Sequence, residues 1–368
     1  MDFIPVNRPM LNGSEKQYVL AALDSGWISS DGPFVEEFEK KFSRRVNRKF
    51  GIAVSSGSAA LDIAVKALGI GQDQEVILPT FTIISCALAV IRNGAKPVFV
   101  DCYQDTWNMN IEEIESKITS RTVAIMPVHI YGLPVDMNPL IKIAEKYNLA
   151  IIEDAAEAHG QTYFEKPCGS FGELSTFSFY ANKHITTGEG GMIVTDDYEL
   201  AEKCKKLRNL CFEPEKRFIH FEIGWNYRLT NLQAAVGLAQ LESLDDNIIR
   251  KKLLGQKYQD LLADNPFLQT PISQKSGYEN HYWVFGLILK PDYGKTAKMV
   301  MENLYREGIG TRPFFWPMHK QPILNEFFHS SYPVSEMISE FGFYLPSGVG
   351  TTDSEIEIVV DRLKKVLN

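Results

Sequence analysis

The chain has 368 residues, of which 45% are hydrophobic and 23% charged, and its formal net charge at pH 7 is −8. This profile is typical of a soluble globular protein, and the length suffices for two domains. The acidic balance excludes a general nucleic-acid binder with a long basic stripe, although a local pocket can still bind a small anion.

The cysteines and the first residues indicate the compartment. Five cysteines without a CxxC pair favour a reduced, cytoplasmic chain over a disulfide framework. The amino terminus lacks the basic and apolar regions of a signal peptide, and no run of about 18 apolar residues suits a membrane span. We therefore expect a cytoplasmic protein that binds neither membranes nor nucleic acid, and no spacing of Cys and His predicts a metal site.

The first part of the chain alternates between strand and helix patterns. A short helix at 16–23 and a loop with Trp27 lead to a helix at 34–42, where Ser30 or Asp31 would be the N-cap and Pro33 suits the first turn. Aliphatic runs separated by helical stretches then predict an α/β fold, with a mostly parallel sheet covered by helices on both faces. The predicted strands are 51–54, 75–78, 97–101, 123–129, 150–154, 175–180 and 192–195, and the helices are 59–68, 84–92, 111–118, 139–147 and 199–209.

The C-terminal part mixes helices and strands. A helix capped by Thr230 or Asn231 precedes a long helix at 247–263, and a strand at 282–289 is followed by helices at 297–306 and 353–367. This pattern predicts a large α/β domain at 1–245 and a smaller α+β domain at 246–368. The segment 311–319 combines a cation, aromatic rings and an imidazole, which suits either ligand binding or an aromatic-rich domain interface.

Three polar groups follow strands that we expect in one sheet. The turn around Ser58 leads from a strand into a helix, where it is either an N-cap or a ligand of an anion such as phosphate. Asp154 ends another strand, and Lys183 lies on a short glycine-rich turn after Ser178. Because ligands of open α/β sheets bind outside the carboxyl ends of the strands, these groups are predicted to share a site.

This set matches the requirements of pyridoxal phosphate. A lysine that burial makes nucleophilic can form a Schiff base, and an acidic residue can pair with the protonated ring nitrogen. Hydroxyl groups and a helix N-terminus can hold the phosphate. The sequence contains no GxGxxG after its first strand, no GxxxxGK[ST] and no HExxH motif, so no competing site is indicated.

The same segments resemble the DegT/DnrJ-type sugar-nucleotide aminotransferases, which have the aspartate-aminotransferase-like fold type I. The resemblance runs almost from end to end of the chain. It rests on the segments 27–30, 56–61, 127–132, 153–160, 177–191, 224–230 and 311–319. It implies a homodimer that uses pyridoxal phosphate, passes through its pyridoxamine form and takes the amino group from glutamate.

The resemblance also implies roles for individual residues. Lys183 would form the Schiff base and move the proton, Asp154 would hold the pyridinium nitrogen, and Glu157 would lie near the phenolic oxygen. Asn226 would reach the phosphate bound by the neighbouring subunit. The phosphate ligands within one subunit would be Gly57, Ser58, Ala59 and Ser178. Arg312 and His319 would line the sugar-nucleotide side. Two further candidate substrate contacts come from the chain itself: Trp27, which either anchors its loop or contacts the substrate, and His159, which is expected at the mouth of the sheet.

Three positions bear on the substrate and the reaction. Glu157 stands where many members carry glutamine, whereas the branch that aminates C4 of GDP-4-keto-6-deoxymannose often carries glutamate. Ile83 stands where several members place an aromatic residue against the cofactor. Lys183 is retained, which excludes the related 3-dehydratases. We therefore expect a GDP-sugar 4-aminotransferase; the alternatives are the same chemistry on a UDP- or dTDP-linked 4-keto-6-deoxyglucose and, more distantly, a non-enzymatic ligand sensor.

Overall fold

The computed structural model describes residues 3–213, 215–324 and 330–367. None of the helices in these ranges is long and apolar enough to cross a membrane. In chain order, the α-helices are α1 (Glu15–Ser25), α2 (Pro33–Arg45), α3 (Gly57–Ala67), α4 (Ile84–Arg92), α5 (Ile114–Lys117), α6 (Met137–Tyr147), α7 (Tyr198–Arg208), α8 (Asn231–Glu242), α9 (Leu244–Leu262), α10 (Ala297–Arg306), α11 (Pro333–Phe341) and α12 (Asp353–Leu367).

The strands fall into two larger sheets and two short hairpins. In chain order they are β1 (Phe50–Val54), β2 (Glu75–Pro79), β3 (Lys96–Val100), β4 (Thr122–Ile125), β5 (Ala150–Asp154), β6 (Thr162–Tyr163), β7 (Lys166–Pro167), β8 (Leu174–Ser178), β9 (Gly191–Thr195), β10 (Leu268–Gln269), β11 (Gln274–Lys275), β12 (Tyr278–Glu279), β13 (Phe285–Leu289), β14 (Arg312–Pro313) and β15 (Gly342–Leu345).

The larger sheet has seven strands in the order β1-β9-β8-β5-β4-β2-β3. β9 runs antiparallel to both of its neighbours, and the other neighbouring pairs are parallel. As a result β1, β5 and β8 all end at the same edge, which brings Val54, Asp154 and Ser178 together. The mostly parallel sheet expected from the aliphatic runs is therefore present, with β9 as its antiparallel member.

The smaller sheet is antiparallel and lies in the C-terminal third, in the order β10-β13-β15-β14. Its apolar face packs with α9, α10 and α12 in one buried cluster. The predicted domain boundary after residue 245 falls in the first turn of α9, and Trp283, Val284 and Phe314 join the buried cluster of the larger sheet. The division into two domains stays a prediction.

Several helices and strands are shorter than the sequence pattern predicts, because the backbone leaves the helical or extended conformation near their ends. The strand predicted at 282–289 begins only at Phe285, since Tyr282 has a φ of 50°, which a strand cannot contain. The helix predicted at 111–118 is a 3₁₀ turn followed by the single turn of α5. The strand predicted at 123–129 ends at Ile125, although Met126 still donates its N–H to Ile77 O.

A buried carboxylate supports β5 from the side opposite the predicted site. Glu153 is fully buried and accepts hydrogen bonds from His129 Nε2, Gly169 N, Phe171 N and Ser175 Oγ. Burial alone would raise the pKa of Glu153, but these donors hold it below its usual value. Because side chains alternate along a strand, Glu153 and Asp154 point to opposite faces of the sheet.

The start of α2 differs from the prediction that Ser30 or Asp31 caps it. The N-cap is Gly32, and the cap comes from Asn231, whose Oδ1 accepts from Phe34 N at 2.9 Å. Asn231 Nδ2 donates to Trp27 O at 2.6 Å. Gly32 is required here because an added Cβ would lie 2.1 Å from the Asn231 side chain.

Replacing Asn231 with Ala tests this cap. Asn231 is completely buried, so the substitution removes a buried amide together with its hydrogen bonds to the N–H of the half-buried Phe34 and to the carbonyl of the exposed Trp27. We expect it to lower the free energy of unfolding by about 2 kcal/mol in urea denaturation. The exposed Gln256→Ala substitution on α9 is the control and should change the value by less than about 0.5 kcal/mol. An equal loss in both variants would contradict the role of Asn231.

Candidate active site

A cavity of about 340 Å³ opens at the edge where β1, β5 and β8 end. Residues from the C-terminal third close it from the other side, so the cavity lies between the two larger sheets. Its lining residues are Ser56, Gly57, Ser58, Leu61, Ile83, Ser85, Val128, Asp154, Ala156, Glu157, Ser178, Tyr180, Asn182, Lys183, Glu189, Trp283, Phe315 and Tyr344.

Lys183 is held in the cavity by a closed loop between β8 and β9. The Lys183 N–H donates to Tyr180 O at 3.0 Å, and Thr187 N donates to Phe179 O at 3.0 Å. Gly188 completes the turn with a φ of 81°, a conformation that glycine adopts without strain. The loop therefore directs the Lys183 side chain, which is only 9% exposed, toward the cavity.

The amine of Lys183 lies 3.6 Å from Glu157 Oε1. Burial lowers the pKa of Lys183, and the Glu157 and Asp154 carboxylates offset part of that effect. Burial raises the pKa of Glu157 to about 7, although Lys183 and the Tyr131 N–H, which donates to Oε2 at 2.7 Å, oppose the rise. Burial thus shifts both groups toward their neutral forms, and the attraction between the ammonium and the carboxylate opposes both shifts.

Asp154 is oriented by two donors at the end of β5. Ala156 N donates to Oδ1 at 3.0 Å, and the Cys86 thiol on α4 donates to Oδ2 at 3.2 Å. Burial raises the pKa of Asp154, and these hydrogen bonds and Lys183 counteract it. A cation brought against this carboxylate would favour its charged form.

The anion-binding turn lies at the start of α3. Ser56 is the N-cap and accepts from Ala59 N at 3.1 Å, and the Ser58 hydroxyl lies 2.7 Å from that of Ser85 on α4. A Cβ added at Gly57 would lie 2.8 Å from Ser178 Cβ, so the backbone approaches β8 as closely as it can. Hydroxyls and unpaired N–H groups at a helix N-terminus form a phosphate cradle.

The structure brings most of the predicted cofactor ligands into this one cavity. Gly57, Ser58, Asp154, Glu157, Ser178 and Lys183 all line it, and Ala59 adjoins it through its bond to Ser56. An amine, an acid and a phosphate cradle that follow three strands ending at one edge of the sheet fit pyridoxal phosphate. Ile83 also lines the cavity, so an aliphatic side chain is present where several members place an aromatic ring.

Two of the predicted substrate contacts, His159 and His319, do not line the cavity. His159 is 1% exposed and packs among Phe42, Phe177 and Phe179, because the turn after β5 carries it below the sheet. His319 is 3% exposed, and its ring nitrogens are occupied by Thr80 Oγ1 at 2.8 Å and Glu336 Oε1 at 3.0 Å. Neither imidazole lines the cavity or is free to contact a ligand there.

The other predicted contacts lie outside the cavity but at the surface. The Trp27 side chain is 56% exposed, and Asn226 is exposed on the segment after the loop at 215–223. Arg312 lines a neighbouring groove, and its backbone pairs with Tyr344, whose side chain lines the cavity. The roles of Trp27, Arg312 and Asn226 stay predictions.

Sequence reasoning missed several residues of the cavity. Ser85 follows a strand and begins a helix, so the signal that identified Ser58 could also have found it. Cys86 shows no signal, because only the fold brings its thiol to Asp154. The same holds for Trp283, Phe315 and Tyr344, which come from segments 100 or more residues after Lys183.

The pKa of Glu157 makes stability depend on pH. Between about pH 4.5 and pH 7 the folded chain retains a proton that the unfolded chain has released, so the free energy of unfolding falls as pH rises. We expect Glu157→Gln to reduce this slope in the cofactor-free protein, by about 3 kcal/mol at most across the interval. Urea unfolding at several pH values measures it, with the exposed Glu145→Gln as the control. An unchanged slope in Glu157→Gln would contradict the prediction.

Known proteins share both the sequence and the fold of this chain. Residues 9–364 match the DegT/DnrJ/EryC1/StrS aminotransferase family. The chain is 40% identical to a GDP-perosamine synthase of Escherichia coli O157:H7, over 99% of both chains. It is 42% identical to a GDP-perosamine synthase of Caulobacter vibrioides, over 99% of this chain and 98% of the relative.

Among solved structures, DesV of S. venezuelae aligns with a TM-score of 0.89 and 32% identity, covering 96% of this chain and 94% of DesV. These matches confirm the family, the fold class, the enzyme class and the pyridoxal phosphate cofactor predicted from the sequence. The chain belongs to the DegT/DnrJ/EryC1/StrS aminotransferase family.

Proposed function

We propose that this aminotransferase transfers an amino group from glutamate to C4 of GDP-4-keto-6-deoxymannose and thereby forms GDP-perosamine. The observation that carries the proposal is the convergence of Lys183, Asp154 and the Ser56–Ser58 turn in one cavity. The names of two relatives with at least 40% identity over nearly the whole chain supply the substrate.

The residues that hold the cofactor have separate tasks. The hydroxyls of Ser58 and Ser178 and the N-terminus of α3 bind the phosphate. The Asp154 carboxylate, oriented by Cys86 and Ala156, keeps the ring nitrogen protonated. When bound, pyridoxal phosphate supplies an electron sink and carries the amino group between the two half-reactions.

Lys183 moves the proton in this proposal. Burial favours its neutral amine, which can accept a proton from carbon, and Glu157 stabilises the ammonium that results. Because the pKa of Glu157 is raised to about 7, the pair can hold or release one proton near neutral pH. The apolar walls formed by Phe315 and Trp283 keep water away from this exchange.

A second copy of the chain is the proposed partner. Beside Asn226, the side chains of Phe218, Phe221 and Ile223 are at least 71% exposed, which is unusual for a row of apolar residues on a protein that acts as a monomer. We propose that this segment packs against a second subunit and presents Asn226 to its phosphate site. The five buried, unpaired cysteines support a reduced, cytoplasmic location.

A comparison of three sugar nucleotides tests the substrate. The purified protein is incubated with pyridoxal phosphate, glutamate and either GDP-4-keto-6-deoxymannose or the UDP- or dTDP-linked 4-keto-6-deoxyglucose, and products are measured by mass spectrometry. We expect the highest kcat/KM with the GDP sugar. Faster turnover of another nucleotide would keep the reaction and replace the substrate, and no amino sugar from any of them would contradict the proposal. Lys183→Ala should reduce turnover at least about 1,000-fold, whereas the exposed Lys142→Ala should not.

Mixed dimers test whether Asn226 acts across the subunit interface. Lys183→Ala and Asn226→Ala each impair the homodimer, but a mixed dimer contains one site with both residues intact if Asn226 serves the neighbouring subunit. We expect co-refolded subunits to regain about a quarter of wild-type activity, because half the dimers are mixed and each has one intact site of two. No regain would show that Asn226 acts within its own subunit, and an Asn226→Ala homodimer with wild-type activity would show that it has no role in catalysis.

A further inference from the structure

The indole of Trp283 covers the amine of Lys183. Lys183 Nζ lies 3.8 Å from the centre of the indole ring, close enough for a cation–π interaction. Trp283 is 5% exposed and forms part of the cavity wall. The ring therefore lies against the group that is proposed to move the proton, on a side that Glu157 does not occupy.

Trp283 is fixed by contacts on several sides. Its Nε1 donates to the carbonyl of Asn182 at 2.9 Å, which ties the ring to the residue before Lys183. Its Cβ packs against Gly132, where an added Cβ would lie 3.1 Å away. The Tyr131 ring lies beside the indole, with 5.9 Å between the ring centres. These contacts restrict the indole to its position in the cavity wall.

A second buried lysine holds the backbone of Trp283. Lys251 on α9 is 1% exposed, and its Nζ donates to Trp283 O at 3.1 Å and to Ser347 O. Among the described residues no carboxylate pairs with Lys251, and burial lowers its pKa to about 7. A buried amine without a counter-charge is costly, and the proposed reaction gives Lys251 no other task.

We propose that Trp283 is a positioning residue of the transamination: its indole face holds the Lys183 amine in the orientation for proton transfer, and Lys251 anchors Trp283 from behind. This inference rests on the proposed function. Trp283, which follows Lys183 by 100 residues in the sequence, then controls the orientation of the Lys183 amine.

The proposal predicts a change in the protonation of Lys183. The titratable groups that face its amine are the carboxyls of Glu157 and Asp154 and the neutral thiol of Cys86, whose pKa is raised by burial. His159 lies nearby, and burial and Lys183 lower its pKa to about 3. An indole face stabilises the ammonium and not the neutral amine. Its removal should therefore lower the pKa of Lys183 further, by about one pH unit.

The experiment measures Lys183 in the cofactor-free protein. The rate at which a small acylating reagent modifies its amine is followed against pH by peptide mass spectrometry in wild type, Trp283→Leu and Trp283→Phe. We expect the midpoint to fall by about one unit in the Leu variant and by about half as much in the Phe variant, whose π face is weaker. Trp316→Phe, an exposed position outside the cavity, is the matched control and should keep the wild-type midpoint.

Turnover supplies a second readout. With cofactor and substrates present, Trp283→Leu should lower kcat by about tenfold with a smaller change in KM, because the amine is misplaced and substrate contacts are retained. A midpoint and kcat equal to wild type in the Leu variant would overturn the proposal. If circular dichroism shows that the Leu variant is unfolded, the Phe variant decides, and an unshifted midpoint there overturns it. The titration contains no sugar nucleotide, so a wrong substrate assignment leaves its outcome unchanged.

Discussion

Burial of the Lys183 amine is the constraint around which the cavity is arranged. A lysine in contact with water is protonated at neutral pH and is a poor base, so removal from water is what makes this amine useful. Taking the amine out of water would cost too much free energy if no other group stabilised its charged form. The Glu157 carboxylate, with Oε1 3.6 Å from the amine, and the indole of Trp283, with its ring centre 3.8 Å away, offset part of this cost because both stabilise the charged amine.

The larger sheet assembles the remaining groups by topology. β1, β5 and β8 are far apart in sequence, yet they end at one edge because they run in the same direction. The phosphate cradle, Asp154 and the loop that carries Lys183 therefore lie close together at that edge. The antiparallel β9 returns the chain to the same sheet after Lys183, and the hydrogen bonds of Lys183 N to Tyr180 O and of Thr187 N to Phe179 O close the loop.

The sequence predicted the parts that depend on local pattern. Aliphatic runs located the strands of the larger sheet, and the strand-end positions of Ser58, Asp154 and Lys183 predicted that they would meet. His159 and His319 lie in the core and not in the cavity, because a residue's place in a motif does not determine the face on which its side chain lies. Three roles could not be predicted: Asn231 as the cap of α2, Cys86 as a donor to Asp154, and Trp283 as the ring over Lys183. Each depends on a contact between segments that are distant in sequence.

The hydrogen bonds of Glu153 have a consequence for how reliably the site forms. Successive residues of β5 are both acidic, so a slip of one residue would present Glu153 to the cavity and turn Asp154 away. Glu153 finds its full set of donors only on the face opposite the cavity, and a slipped strand would leave a buried carboxylate unsatisfied. The donors around Glu153 therefore favour the register that presents Asp154 to the cavity. An apolar residue in place of Glu153 would remove this preference and would also leave His129 Nε2, Gly169 N and Phe171 N without their acceptor.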